Sequence, residues 1–433
     1  MADPDADASR RTALDCVEAG IAAAAPEQVV ADAVAVDGET LCVDGDRYAL
    51  ADYERVLVLG GGKAAAGVAG ALHEILGERL DGGLVVTDDA EDSETTGPVE
   101  VIEGGHPVPD ERGEAGAQVI LETAAEAGPE TLVLAVLTGG GSALLPAPAE
   151  GLTLDDLQSV TEALLDAGAS IAELNAVRKH CSRLKGGRLA AVAVPATVLT
   201  LACSDVVGDD PSVIASGPTV PDETTFADAI AVLDRYAVRA PIVRGHLEAG
   251  RDGEVSETPD APFDHATTHV LAGAWTAVAA AREAVPEDHA TCVLSTRLTG
   301  EGREVGRTLA AVAAEIHATG NPVASPAVVL SAGETTVSVE GDGEGGPNQE
   351  LALAAARDLP PGAVLAAVDT DGRDGSTDAA GAVVSEATWS QEAADALAAN
   401  DVYPYLDARD ALVRTGRTGT NVNDLHALVV PDV

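Results

Sequence analysis

The chain has 433 residues, 46% of them apolar and only 2% aromatic, with 72 acidic against 25 basic side chains and a formal charge of −47 at pH 7. Such a length exceeds one ordinary core, so two α/β domains are expected, filled by Ala, Val and Leu rather than by rings. An acid excess spread along the whole chain excludes nucleic acid and anionic membranes as partners, and with so little lysine it fits a halophilic cytoplasm whose ions screen the self-repulsion.

The N-terminal MADPDADASRR lacks an apolar signal region, and no run reaches the length of a membrane span, so a cytoplasmic protein is expected. RVLVLG at 55–60 then reads as a buried strand that runs into a glycine turn and the helical AAAGVAGALHEIL. The backbone N–H groups of Gly61 and Gly62 and the helix dipole make this turn an anion site. It is not a Walker A loop, because Leu57 stands where the first glycine should be and Ala64 follows the lysine in place of Ser or Thr. Gly60, Gly62 and Ala65 do fit a relaxed G-x-G-x-x-A fingerprint, and Asp88 ends the next strand where a ribose-binding acid would sit, so this motif alone leaves a dinucleotide site open. Lys63 tips the balance. It is one of three lysines in the chain, with Lys179 and Lys185, and a cation at a helix start opposes the dipole unless an anion shares the site.

TLVLAVL leads into a second glycine turn, Gly139, Gly140, Gly141 and Ser142, a further cradle for phosphate or carboxylate. Leu144 stands where a nucleophile elbow needs glycine, which disfavours a serine hydrolase. In the helical ASIAELNAVRKHCSRLKGGRLA, Asn175, Arg178, Ser182 and Lys185 recur at spacings of three, four and three, which predicts one cationic face aimed at an anionic ligand. Lys179 and His180 face elsewhere, and His180 reads as a packing or surface residue rather than a ligand. After the strand TVLTLA comes CSDVVGDDP: Asp205, at the carboxyl end of a parallel strand, is placed to bind Mg²⁺ or accept a hydroxyl proton. Asp209 is a second metal candidate, and Asp209 or Asp210 before Pro211 suits a helix cap.

The alternation fades over 250–265, rich in acids and turn formers, and resumes with THVLAGA, TCVLSTR, AVVLSAG, AVLAAVD and HALVVPD. The expected organisation is a Rossmann-like domain over 1–245, an acidic linker or surface loop over 246–265 and a second α/β domain over 266–433, both with mainly parallel sheets. In the second half, DTDGRDG carries Asp371 and Asp374 after a strand, and its glycine and distal Glu miss the EF-hand positions. GGPNQE, with Asn348 and Glu350, opens a helix, and TGTNVND is a polar cluster near the C-terminus. The five cysteines form no CxxC pair, which argues against a disulfide framework or a zinc site.

Taken in order, GGGKAAAGVA, GGHPVPDERG, LTGGGSALLPAP, ELNAVRKHCSRLKGGRLA, CSDVVGDDPSVIASGPT, GETTV with GGPNQELALAAA, DTDGRDGSTDAAGA and TGRTGTNVND resemble the MOFRL-family, or type II, glycerate kinases over 55–424. The resemblance implies two α/β domains with the active site in the cleft between them and, in archaeal members, transfer of the γ-phosphoryl group of ATP to D-glycerate to give 2-phosphoglycerate. The family's catalytic lysine falls on Lys63 and its catalytic acid on Asp205. ATP and Mg²⁺ are the implied cofactors. The 139–142 turn, the cationic face and, from the second domain, Asn348, Glu350, Asp371 and Asp374 are the implied substrate and phosphate contacts, in a monomer or homodimer. One departure stands out: the family's GGRNQE arginine is Pro347 here, while Arg417 replaces a family proline, so Arg417 or Arg373 could supply the charge. The competing reading is a hydroxypyruvate reductase using NAD(P)H, which gives Lys63 and the carboxylate loops no role.

Overall fold

A computed structural model describes residues 4–89 and 97–432. In chain order it has α1 (Pro4–Ala23), α2 (Pro26–Ala33), β1 (Val34–Asp37), β2 (Thr40–Val43), β3 (Asp46–Ala49), β4 (Arg55–Gly61), α3 (Ala65–Leu76), β5 (Gly82–Thr87), β6 (Val99–Glu103), α4 (Glu111–Ala125), β7 (Thr131–Thr138), α5 (Gly141–Leu144), α6 (Leu154–Asp166), α7 (Ile171–His180), α8 (Arg188–Val192) and β8 (Thr197–Cys203). It continues with α9 (Phe226–Arg235), α10 (Pro241–Arg251), β9 (Ala266–Ala272), α11 (Ala274–Glu283), β10 (Ala290–Glu301), α12 (Gly302–Thr319), β11 (Ala327–Thr336), α13 (Pro347–Ala356), β12 (Val364–Asp369), β13 (Gly381–Ser385), α14 (Gln391–Ala398), α15 (Val402–Asp407), β14 (Leu412–Val413) and β15 (Asp424–Val430).

Two compact units result, Val29–Leu271 and the remainder, in which residues up to Gln28 join Ala272–Val433. The expected linker, 246–265, comprises the last turns of α10 and the coil before β9, all inside the first unit. Helix α1 belongs with the second unit, where Gly20 lets it approach the backbone of α11 at Ala277; a Cβ at Gly20 would lie 2.9 Å from the Ala277 carbonyl oxygen.

The first unit is built on a sheet of order β6-β5-β4-β7-β8-β9. Its pairings from β6 through β8 are parallel. β7 is buried at every position, as expected of a strand covered on both faces. Leu59, Val86, Val133, Ala135 and Leu137 form the core with Ile120 and Ala117 of α4. Helices α6, α7, α9 and α10 make a second cluster around Phe226, whose ring lies against Gly250.

The second unit is mixed. Its sheet runs β10-β11-β15-β12-β13-β14, with β10 and β11 parallel and the pairs from β11 through β14 antiparallel. The mainly parallel arrangement therefore describes the first sheet. In the second, no helix crosses over between β12 and β13, so the chain returns beside itself in the opposite direction, and the C-terminal β15 inserts between β11 and β12. Among the described residues no helix is long and apolar enough to cross a membrane.

Candidate active site

The first sheet reverses its winding between β4 and β7: β5 and β6 extend it one way, β8 and β9 the other. Open α/β sheets bind ligands at such a switch point, beyond the carboxyl ends of the strands. Lys63 leaves β4 there, the 139–142 turn leaves β7, and Asp205 leaves β8.

Glycine is obligatory on this edge. Gly61 closes β4, and Gly62, at φ +138°, has Thr138 where a Cβ would stand. That absence lets the two strand ends join: Lys63 N–H donates to Gly139 O at 2.8 Å and Ala64 N–H to Thr138 Oγ1 at 3.1 Å. Thr87 Oγ1 donates to Lys63 O at 3.2 Å, so the lysine backbone is tied to both flanking strands.

Gly140, at φ +80°, donates its N–H to Asp205 Oδ2 at 3.2 Å. Gly139 lies against the same carboxylate, and Gly140 lies between the Lys63 stem and the His106 ring. Burial raises the Asp205 carboxyl above its ordinary value, opposed by the Lys63 charge and the Gly140 amide. A desolvated carboxylate held by one amide and one ammonium is a stronger base than a free one. His106 had no sequence signal beyond its glycine-rich neighbourhood, GGHP.

The helix carrying the cationic face is shorter than its spacing predicts. It ends at His180, because Ser182 Oγ accepts the N–H groups of Leu184 (3.1 Å) and Lys185 (3.2 Å), and Gly186 and Gly187 take positive φ. Only Asn175 and Arg178 therefore share a face of α7, and the turn brings Lys185 beneath the glycine loop. Its Nζ donates to Ser142 O at 2.8 Å and Leu145 O at 3.2 Å. Burial, then the Arg178 charge, pushes this amine down to about 7. The Arg178 guanidinium is also lowered by burial, and among the described residues it makes no ion pair with a carboxylate.

Ser216 Oγ donates to Asn175 Oδ1 at 2.9 Å and lies 2.8 Å from Ser142 Oγ, which leaves Ser142 as the donor between the two hydroxyls. Ala215 and Ser216 stand at φ +50° and +63°, strained for non-glycine residues. The strain is held by Gly186 N–H on Ser216 O (3.1 Å) and Gly187 N–H on Gly217 O (2.7 Å), while Gly141 leaves room for Ala215. Asn175 Nδ2 is buried without a partner. Lys179 and His180 are engaged away from that face: Lys179 pairs with Asp222 at 3.0 Å, and buried His180 bonds Ala176 O and Glu257 Oε1.

Asp209 takes φ +57° with Oδ1 buried and unpartnered, while Asp210 Oδ1 accepts the Ser212 N–H two residues on in a turn, and not as the expected helix cap, because the short helix that follows starts at Ile214 behind Val213. Among the described residues no three His, Cys, Asp or Glu cluster to cage an ion. The residues present fit Mg²⁺ of the kind that keeps several waters and is held by one or two carboxylates plus substrate phosphates, with Asp205 and Asp209 as the carboxylates.

In the second unit, Asp374 accepts the N–H groups of Asn348 (3.0 Å) and Gln349 (2.9 Å) at the start of α13. Asn348 Nδ2 bridges to Asp424 Oδ1 at 2.6 Å, and Glu350 takes Arg303 Nε at 2.5 Å and Asn400 Nδ2 at 2.8 Å. Burial pushes Asp374 up to about 7 and Asp424 up to about 6. Asn348, Glu350 and Asp374 thus lie together, with polar atoms engaged inside the unit, and Asp371 is on the partly exposed loop they support. Thr418 N–H donates to Asp371 O at 3.3 Å and Gly372, at φ +88°, abuts Gly416, which joins the loops of Arg373 and Arg417. Sequence reasoning missed Ser216 and Arg303; Asn423, within the polar TGTNVND cluster, stands at φ +70° with both side-chain polar atoms buried and unpartnered.

Comparison with known proteins matches residues 12–248 to a domain of unknown function, DUF4147, and residues 327–424 to the MOFRL family. The glycerate 2-kinase of Pyrococcus horikoshii is 39% identical over 97% of both chains. The D-glycerate 2-kinase of Thermotoga maritima is 37% identical over 97% of this chain and 98% of its own. A crystal structure of glycerate kinase from Thermotoga maritima superposes with a TM-score of 0.85 at 36% identity, over 98% of this chain and 100% of that one. With both domains in the same order and nearly full-length similarity, the chain belongs to the DUF4147–MOFRL family, the family of these glycerate kinases.

Proposed function

We propose that this chain transfers the γ-phosphoryl group of ATP to D-glycerate at its 2-hydroxyl, giving 2-phosphoglycerate and ADP, in a high-salt cytoplasm. The observation that carries the reading is the convergence of Lys63 and Asp205 on the 139–140 peptides at the sheet's switch point. Phosphoryl transfer needs alignment and charge neutralisation more than covalent help from the protein.

In this reading Asp205 takes the proton of the glycerate hydroxyl as its oxygen bonds the γ-phosphorus and the bond to the β-phosphate oxygen breaks. Lys63, beside the 139–141 turn, stabilises charge on the migrating group; the expected Gly62 amide is not available for it, because that N–H is given to Val86 O at 2.9 Å, as the Gly140 N–H is to Asp205. Arg178 offsets the anionic end of a reactant, and Lys185 acts through the glycine loop that it holds from beneath. Mg²⁺ bound with the nucleotide would neutralise its β and γ oxygens, with Asp205 and Asp209 holding its waters or the ion itself. Within the second unit, Asn348, Glu350 and Asp374 support the loop that carries Asp371, and Arg373 or Arg417, on adjoining loops, could stand in for the arginine absent at Pro347.

The test is direct. In high salt with Mg²⁺, the protein should release ADP from ATP and D-glycerate, and phosphorus NMR should show the 2-phosphate. It should leave NADH unconsumed with hydroxypyruvate. Lys63→Ala should lower kcat about 10³-fold while the fold is retained; near-normal turnover by that variant, or NADH oxidation by the wild type, overturns the assignment.

A further inference from the structure

The anionic parts of the two reactants differ in shape and charge. A nucleotide presents tetrahedral, multiply charged phosphates; glycerate presents one planar, singly charged carboxylate. The phosphate end is already served by the glycine turns and Lys63. On α7, Asn175 and Arg178 lie three residues apart, hence on one face. Arg178 has no carboxylate partner among the described residues. Asn175 Nδ2 is buried with no acceptor, although the residue is only 3% exposed. Its amide cannot turn over to hide that donor, because Ser216 holds Oδ1 at 2.9 Å, Ser142 backs Ser216 at 2.8 Å, and the strained turn fixes where the Ser216 hydroxyl stands.

We propose that Asn175 and Arg178 form a carboxylate-binding subsite that reads the acid end of the substrate, and that Ser216 is the positioning residue that fixes the asparagine amide with Nδ2 left to donate. The proposal rests on the kinase reading above and narrows it: the substrate class is a short 2-hydroxycarboxylate, and the uncharged amide or alcohol of the same skeleton is rejected. Lys185 is not a third ligand. Two carbonyls already use its amine and it lies off the face of α7, so Arg178 is the one charge on that face, which matches a monoanion rather than a triphosphate. The planar guanidinium fork matches a carboxylate edge, and a fixed amide N–H supplies the neutral donor beside it.

The test compares binding of D-glycerate and of D-glyceramide by calorimetry without nucleotide, together with the KM for ATP, in the wild type and in Arg178→Met, Arg178→Lys, Asn175→Asp and Ser216→Ala. The wild type should prefer the acid by ~100-fold or more. Arg178→Met and Asn175→Asp should abolish that preference, and Arg178→Lys should retain part of it because the charge remains without the fork. Ser216→Ala should raise the KM for glycerate ~5–10-fold with kcat within about twofold, an effect of lost orientation. The KM for ATP should stay within about twofold throughout. The near-isosteric Asn175→Asp and Arg178→Lys keep the test valid if Arg178→Met does not fold. A preserved preference for the acid in the folded variants, or a rise in KM confined to ATP, overturns the subsite. A wild type that discriminates acid from amide but does not phosphorylate glycerate leaves the subsite standing and overturns the kinase reading instead.

Discussion

Asp374 offers the clearest energetic handle on the second unit. Its carboxyl is 1% exposed and receives the first N–H groups of α13, yet burial outweighs those bonds and moves it from 3.8 to about 7. The folded state therefore holds this proton more tightly than the unfolded chain, so stability falls as pH rises from 3.8 to 7 and the full penalty remains above 7. Between pH 5 and pH 8 this one group should cost the unit about 3 kcal/mol, at ~1.4 kcal/mol per pH step over which the two states differ by a proton. Asp374→Asn removes the titrating group, so its stability should stay level from pH 5 to pH 8 while the wild type loses about 3 kcal/mol over that range. Both tryptophans of the chain, Trp275 and Trp389, lie in the second unit, so denaturation followed by their fluorescence at constant high salt reports on it. Parallel stability–pH curves for the two proteins would refute the reasoning.

Gly62→Ala places a methyl group where the Thr138 side chain and carbonyl stand, at a φ of +138° that alanine does not tolerate. Turnover should drop ~100-fold or more with the first unit destabilised by about 3 kcal/mol, as read from glycerate kinetics and circular dichroism melts. Lys185 gives the opposite pH dependence to Asp374. Its amine falls from 10.5 to about 7, so the folded state sheds the proton first and stability rises with pH between 7 and 10.5. Melting curves should show the first unit of the wild type gaining about 3 kcal/mol from pH 7 to 9, and Lys185→Met losing that rise.

What the sequence revealed was local. A strand followed by glycines is visible as a run of consecutive residues, so the Lys63 and 139–142 turns and the Asp205 strand end could be read directly. The second sheet's mixed order could not, because β15 finds its place between β11 and β12 only through pairings with residues far back in the chain, Ala327 with Val430 and Val364 with Val429 among them. The break after His180 was masked by a period that continues through Ser182 and Lys185, although Ser182 spends its hydroxyl on ending the helix. Ser216 was missed because a serine at positive φ carries no mark in sequence; glycine would have announced the turn. Asp374 caps a helix that begins 27 positions earlier, a pairing that no local pattern encodes.

The placement of the three lysines bears on how the molecule meets reagents. Lys179 and Lys185 are 6% and 4% exposed, one locked to Asp222 and the other to two carbonyls, and Lys63 is partly covered beside Gly140. The solvent-facing skin thus offers essentially no side-chain amines, only arginine and acid. Acylating, glycating or cross-linking chemistry directed at amines would find its most accessible side-chain target at Lys63, which makes this chain a near-equivalent of a single-lysine protein engineered for labelling.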